Sequence, residues 1–132
     1  VLTGGIPKLI QSAYKVLLEA GYNPITAWFV CYYELKTIVD MFHSKGFEFM
    51  NNAISDTAEY GGITRGNRII DEHVQNEMRI TLKEIQNGQF HNEWMLESEK
   101  GYPALNKLRE EEKQIPIEEI SKQLLKELFE NK

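Results

Sequence analysis

Apolar residues recur at three- and four-residue intervals along most of the chain, which is the period of an α-helix. Ile6, Leu9, Ile10, Ala13, Val16, Leu17 and Ala20 form one such stripe and predict a helix over 6–20. Gly21 is its stop signal. Pro24 suits the first turn of a second helix, which runs through ITAWFVCYYELKTIVDMF to about Ser44 and ends near Gly46. A short segment over 48–53 leads into a stretch, Ile54 to Arg68, rich in glycine and small polar residues, where the period breaks. Asp71 is a good N-cap for a helix carrying Val74, Met78, Leu82 and Ile85, which Gly88 ends. Phe90 to Lys100 reads as another, closed by Gly101. Pro103 starts the next, with Leu105 and Leu108 inward. Pro116 starts the last, with Ile117, Ile120, Leu124, Leu125 and Leu128 on one face. No segment alternates as a half-buried strand does. The pattern predicts an all-α protein of roughly six or seven helices.

Composition narrows the setting. With 132 residues, 42% hydrophobic and 27% charged, the chain suits one globular domain spanning 1–132. A net charge of −5 argues against nucleic acid or an anionic membrane as partner. No apolar run approaches the roughly 20 residues of a membrane span. Cys31 is the only cysteine and no signal peptide is visible, so a reducing, cytoplasmic location is expected. The opening Val1-Leu2-Thr3-Gly4-Gly5 reads as the middle of something, so a fragment or processed piece is expected.

Candidate chemistry is sparse. No dinucleotide fingerprint, Walker loop or zinc-protease motif occurs. His43, His73 and His91 lie in separate polar segments without metal-ligand spacing and read as surface residues. Cys31 reads as a small buried hydrophobe, and Trp28, Phe29, Tyr32 and Tyr33 as core or interface aromatics. Two features stand out. Glu34 has only Val30, Cys31, Thr37 and Ile38 as neighbours one turn away. It must face water, pair with a cation from another helix, or meet a metal or proton. The segment Ser55-Asp56-Thr57-Ala58-Glu59-Tyr60-Gly61-Gly62 is either a helix start capped by Ser55 or a loop presenting a hydroxyl and backbone N–H groups to a small anion.

The strings YELKTIVD and ISDTAEYGG occur together with GYNPITAWF, RGNRII, IQNGQF and GYPALNKLREEEKQIPIEEIS. Taken in their order along the chain, they resemble the C-terminal domain of ketol-acid reductoisomerase, in its short form, over essentially the whole chain. The resemblance implies a knotted helical domain of the 6-phosphogluconate dehydrogenase C-terminal-like type, intertwined with its mate as a homodimer or higher homo-oligomer. It implies an enzyme that converts 2-acetolactate or 2-aceto-2-hydroxybutyrate to a 2,3-dihydroxy acid in branched-chain amino-acid synthesis. That reaction uses Mg²⁺ ions, two per active site, for an alkyl shift, and NADPH for reduction. The cofactor is held by an N-terminal Rossmann domain that is absent from this chain.

The family pattern F-E-x-x-x-E places two metal-ligating glutamates one helical turn apart. The second carries over as Glu34, a catalytic and metal residue, but the first position holds Val30. Ser55 carries over as a substrate contact, with Ile54 and Ala58 lining the same pocket. Two further family carboxylates precede this chain, so at most one of four is present. The expectation is a metal- and substrate-binding, dimerising domain that is inactive alone. The alternative is a non-catalytic helical dimerisation domain with a decayed metal site.

Overall fold

A computed structural model describes residues 1–129. Its helices are α1 (Leu2–Glu19), α2 (Pro24–Trp28), a π-helical turn (Phe29–Tyr33), α3 (Glu34–Ala53), α4 (Asp56–Ile69), α5 (Glu72–Gln86), α6 (Gln89–Glu99), α7 (Pro103–Lys113) and α8 (Pro116–Phe129). With the contiguous run from Pro24 to Ala53 counted as one, there are seven helices and no strand among the described residues. The all-α expectation holds. No helix is long and apolar enough to cross a membrane.

Helix ends follow from local chemistry. Asn23 Oδ1 accepts from the N–H groups of Ile25 and Thr26, and Pro24 follows as the first helical residue. Asp71 caps α5 through the Val74 N–H at 3.1 Å. Gly21 ends α1 at φ +85°, with its N–H bonded to Leu18 O and the Tyr22 N–H to Leu17 O. The left-handed conformation and the paired bonds together form a Schellman cap, which glycine adopts without Cβ strain. Gly101 ends α6 in the same way.

Three expectations need correcting. α1 begins at Leu2, not Ile6, because Gly4, Gly5 and Pro7 are carried within the helix. The run over 25–42 is not one regular α-helix: a π turn interrupts it between Trp28 and Glu34. The glycine-rich stretch after Ile54 is helix α4, capped at Ser55 and continued in spite of the helix cost of Gly61, Gly62 and Gly66. Gly46, expected as an end, is one: at φ +85° its backbone is non-helical and separates two helical stretches within the range of α3.

Contacts gather in two compact units, residues 1–39 with the chain from Ala104 onward, and Asp40–Pro103. The first unit has a core. Tyr14 of α1, Ala27 and Trp28 of α2, and Ile117 and Leu124 of α8 are buried, with Ile10, Leu17, Leu18, Cys31, Ile120, Leu125 and Leu128 packed around them. Trp28 is completely out of water. Its Nε1–H donates to Ser121 Oγ at 2.7 Å, and that hydroxyl donates to Ile117 O at 2.6 Å. Each fully buried large apolar side chain contributes about 1.5–3 kcal/mol.

The second unit differs. None of its described side chains is buried. Phe47, Tyr60, Ile63, Ile69, Leu82, Ile85, Phe90 and Leu96 are each more than half exposed. Its rings pair locally, Phe42 with Phe47 at 5.1 Å and Trp94 with Tyr102 at 5.3 Å.

Three outcomes follow from the first unit's core. Ser121→Ala leaves the buried Trp28 N–H without an acceptor and is expected to lower unfolding free energy by about 1–3 kcal/mol in urea titration. Burial also pushes the Cys31 thiol above its ordinary range, and raises Tyr14 for the same reason first and through its charge interaction with Cys31 second. Both groups favour the folded state while neutral, so their contribution is complete below the ordinary thiol and phenol ranges and is lost as pH rises through the raised values. The urea midpoint should therefore fall on the alkaline side. Iodoacetamide should modify Cys31 at least about tenfold more slowly in the folded than the unfolded chain at pH 8; equal rates would contradict its burial.

Candidate functional site

The π turn sets the surroundings of Glu34. Its bond runs from the Glu34 N–H back five residues to Phe29 O, one residue further than in an α-helix. Such single π turns concentrate at functional sites. The aromatic group packs about Trp28: Tyr32 stacks on it at 5.1 Å, Phe29 meets it edge-on at 5.0 Å, and Tyr33 lies tilted at 5.6 Å. Phe29, Tyr32 and Tyr33 nonetheless remain 37–41% exposed. Only Trp28 of the four is core.

Glu34 opens α3 and is exposed. Among the described residues no hydrogen bond or ion pair reaches its side chain. The pairing with a cation from another helix, left open by the sequence, is not seen among them. Val30, one turn earlier, is 55% exposed. The same stretch of helix thus presents one carboxylate and, a turn away, an apolar branch.

Ile54, Ser55 and Ala58 belong to the second unit and lie together at the start of α4. Ser55 Oγ accepts the Ala58 N–H at 3.2 Å, so its helix-cap reading is realised. Its O–H remains able to donate. Ser55 and Ala58 are exposed and Ile54 is half-buried. Asp56 and Glu59 occupy the first turn, where their charge opposes an anion at this helix end. His43, His73 and His91 are exposed, as expected of surface residues.

The first unit also contains an open groove of about 600 Å³ between α1, α7 and α8. Ile10, Tyr32, Leu105, Leu108 and Ile117 line it. Leu108, expected inward, is 55% exposed here. On the rim, Lys8 and Gln11 converge on Glu112, with Gln11 Nε2 donating at 3.1 Å. The hydrogen bond from Lys8, then that from Gln11, holds the Glu112 carboxyl below the usual range. Glu34 does not line this groove.

Sequence reasoning missed Ser121. Its signal was positional: residue 121 lies on the stripe of Ile117, Leu124 and Leu128, where a hydroxyl must find a partner. It also missed the π turn, for which the local sequence gives no mark.

A Mg²⁺ pair is implied by the resemblance. Mg²⁺ requires near-octahedral oxygen ligation. Among the described residues no group of three or more His, Cys, Asp or Glu side chains could hold a metal ion. With Val30 beside Glu34, the residues of this chain do not by themselves fit that pair.

Residues 1–129 match the family described as "Ketol-acid reductoisomerase, C-terminal domain". A Ketol-acid reductoisomerase (NADP(+)) of Methanocaldococcus jannaschii is 49% identical over 126 residues, covering 96% of this chain and 38% of that protein. The corresponding protein of Methanothermobacter thermautotrophicus is 48% identical over the same shares. A solved NADH-preferring ketol-acid reductoisomerase from an uncultured archean superposes with a TM-score of 0.93 at 40% identity, again over 96% of this chain and 38% of that one. The chain therefore spans less than two fifths of the length of these relatives. It belongs to the ketol-acid reductoisomerase C-terminal domain family.

Proposed function

We propose that the chain is the metal-facing, substrate-binding and dimerising domain of a ketol-acid reductoisomerase. The whole enzyme would convert 2-acetolactate or 2-aceto-2-hydroxybutyrate to a 2,3-dihydroxy acid by alkyl migration and reduction. The observation that carries this reading is the 49% identity across nearly the whole chain to a protein of that name. Mg²⁺ would supply Lewis-acid polarisation of the substrate oxygens. Glu34 is this chain's carboxylate toward that chemistry, and the remaining ligands come from outside the chain. Ser55 would direct its free O–H to the substrate, with Ile54 and Ala58 as apolar neighbours. The nicotinamide cofactor would bind the part of the enzyme outside this chain. The similar proteins include both an NADP(+) enzyme and an NADH-preferring one, so the choice of cofactor does not follow from this domain.

The partner in this reading is a second copy, in the knotted and intertwined arrangement. What supports it is the Asp40–Pro103 unit, which has many half-exposed apolar side chains and none buried. Exposed large apolar side chains such as Phe47, Tyr60, Ile63, Leu82 and Phe90 are the kind that an interface with a second copy would cover.

Val30 favours a second reading, a non-catalytic dimerisation domain whose metal site has decayed. A chimera separates the two. The cofactor half of the Methanocaldococcus relative would be joined to this chain carrying Val30→Glu, and NADPH consumption measured with 2-acetolactate and Mg²⁺. Turnover well above that of the Val30 chimera supports the enzyme domain, whereas no turnover from either supports decay. The chain alone should show none above blank, and sedimentation at micromolar concentration should show at least twice the 15.4 kDa monomer mass.

A further inference from the structure

Glu34 and Val30 occupy one side of the π turn. Val30 is its second residue and Glu34 the residue whose N–H closes it. Residues four apart on a helix are neighbours at the surface, and both of these are exposed. The other positions one turn from Glu34 are Cys31, Thr37 and Ile38. The Cys31 thiol is half-buried and resists ionisation, and Ile38 offers no ligand. A hard divalent cation wants several oxygen ligands, and its affinity rises with the number of carboxylates. A lone solvated carboxylate exchanges water for metal with little gain.

We propose that position 30 decides whether this face holds a divalent cation, and that with valine there this face holds none. The inference rests on the reading of Glu34 as the metal-facing carboxylate, and it runs against the family expectation of a ready metal site. A second carboxylate at position 30 would stand one turn from Glu34 on exposed helix, where a longer polar side chain meets no buried neighbour. The two could then converge on one ion without rearrangement of the core behind Trp28.

Mn²⁺ is the probe, its free form followed by electron paramagnetic resonance during titration of the full chain. The unchanged chain and Glu34→Gln should bind Mn²⁺ equally weakly, within twofold. Val30→Glu should bind it at least about tenfold more tightly. The gain should disappear in the double variant Val30→Glu/Glu34→Gln and be absent in the neutral Val30→Gln. Circular dichroism checks helix content, and Val30→Asp replaces Val30→Glu if the latter does not fold. Tight Mn²⁺ binding by the unchanged chain that Glu34→Gln removes would overturn the inference. So would a folded Val30→Glu or Val30→Asp variant with no gain. Failure of the enzyme reading shows separately, in the chimera's turnover, which does not depend on Mn²⁺ binding to the chain alone.

Discussion

Burial of Trp28 is the interaction on which the rest of the first unit depends. It is the one large side chain completely out of water among the described residues. The consecutive helices α1 and α2 and, from far along the chain, α8 meet around it. An indole N–H cannot be buried without an acceptor at little cost, and Ser121 supplies it from α8. The hydroxyl in turn donates to Ile117 O, so no buried side-chain polar atom among the described residues is left unsatisfied. The π turn begins at the residue after Trp28, with Tyr32 stacked on the indole. The helix thus widens directly after the anchor, and Glu34 is placed at the end of that widening.

The Asp40–Pro103 unit lacks any such anchor. Its helices are well capped and locally braced by ring pairs, yet bury nothing fully. Helices of this length draw most of their stability from packing an amphipathic face rather than from propensity. A unit with exposed apolar faces and no interior is what one half of a shared core looks like. This gives the proposed dimer a physical motive that does not depend on family resemblance.

Much of the fold was legible because its signals are local. Gly21, Pro24, Asp71, Gly88, Gly101, Pro103 and Pro116 each act through their own backbone chemistry, and each marks a helix boundary as expected. What was not legible depends on partners distant in sequence. The Trp28–Ser121 bond spans 93 positions and cannot be read from either end. The π turn inserts no glycine or proline, so periodicity alone passes over it. Helix α4 was obscured because glycine lowers helix propensity, while the cap at Ser55 that starts it is a single residue. Of the candidate site, the isolation of Glu34 was visible from its neighbours, and the absence of an ion pair among the described residues agrees with it. The roles of Ser55, Ile54 and Ala58 come from resemblance, and the structure adds the cap geometry.

The account's central claim is that residues 40–103 take their interior from a second copy. Each unit carries one tryptophan, Trp28 in the first and Trp94 in the second. Single-tryptophan variants, Trp94→Phe to watch Trp28 and Trp28→Phe to watch Trp94, report on the units separately. The measurement is emission wavelength and acrylamide quenching of each on dilution from micromolar to nanomolar chain. The account predicts that Trp94 becomes red-shifted and freely quenched as the dimer dissociates, while Trp28 stays shielded at concentrations where Trp94 is already exposed. A Trp94 signal independent of concentration, with a persistent folded monomer, would contradict it.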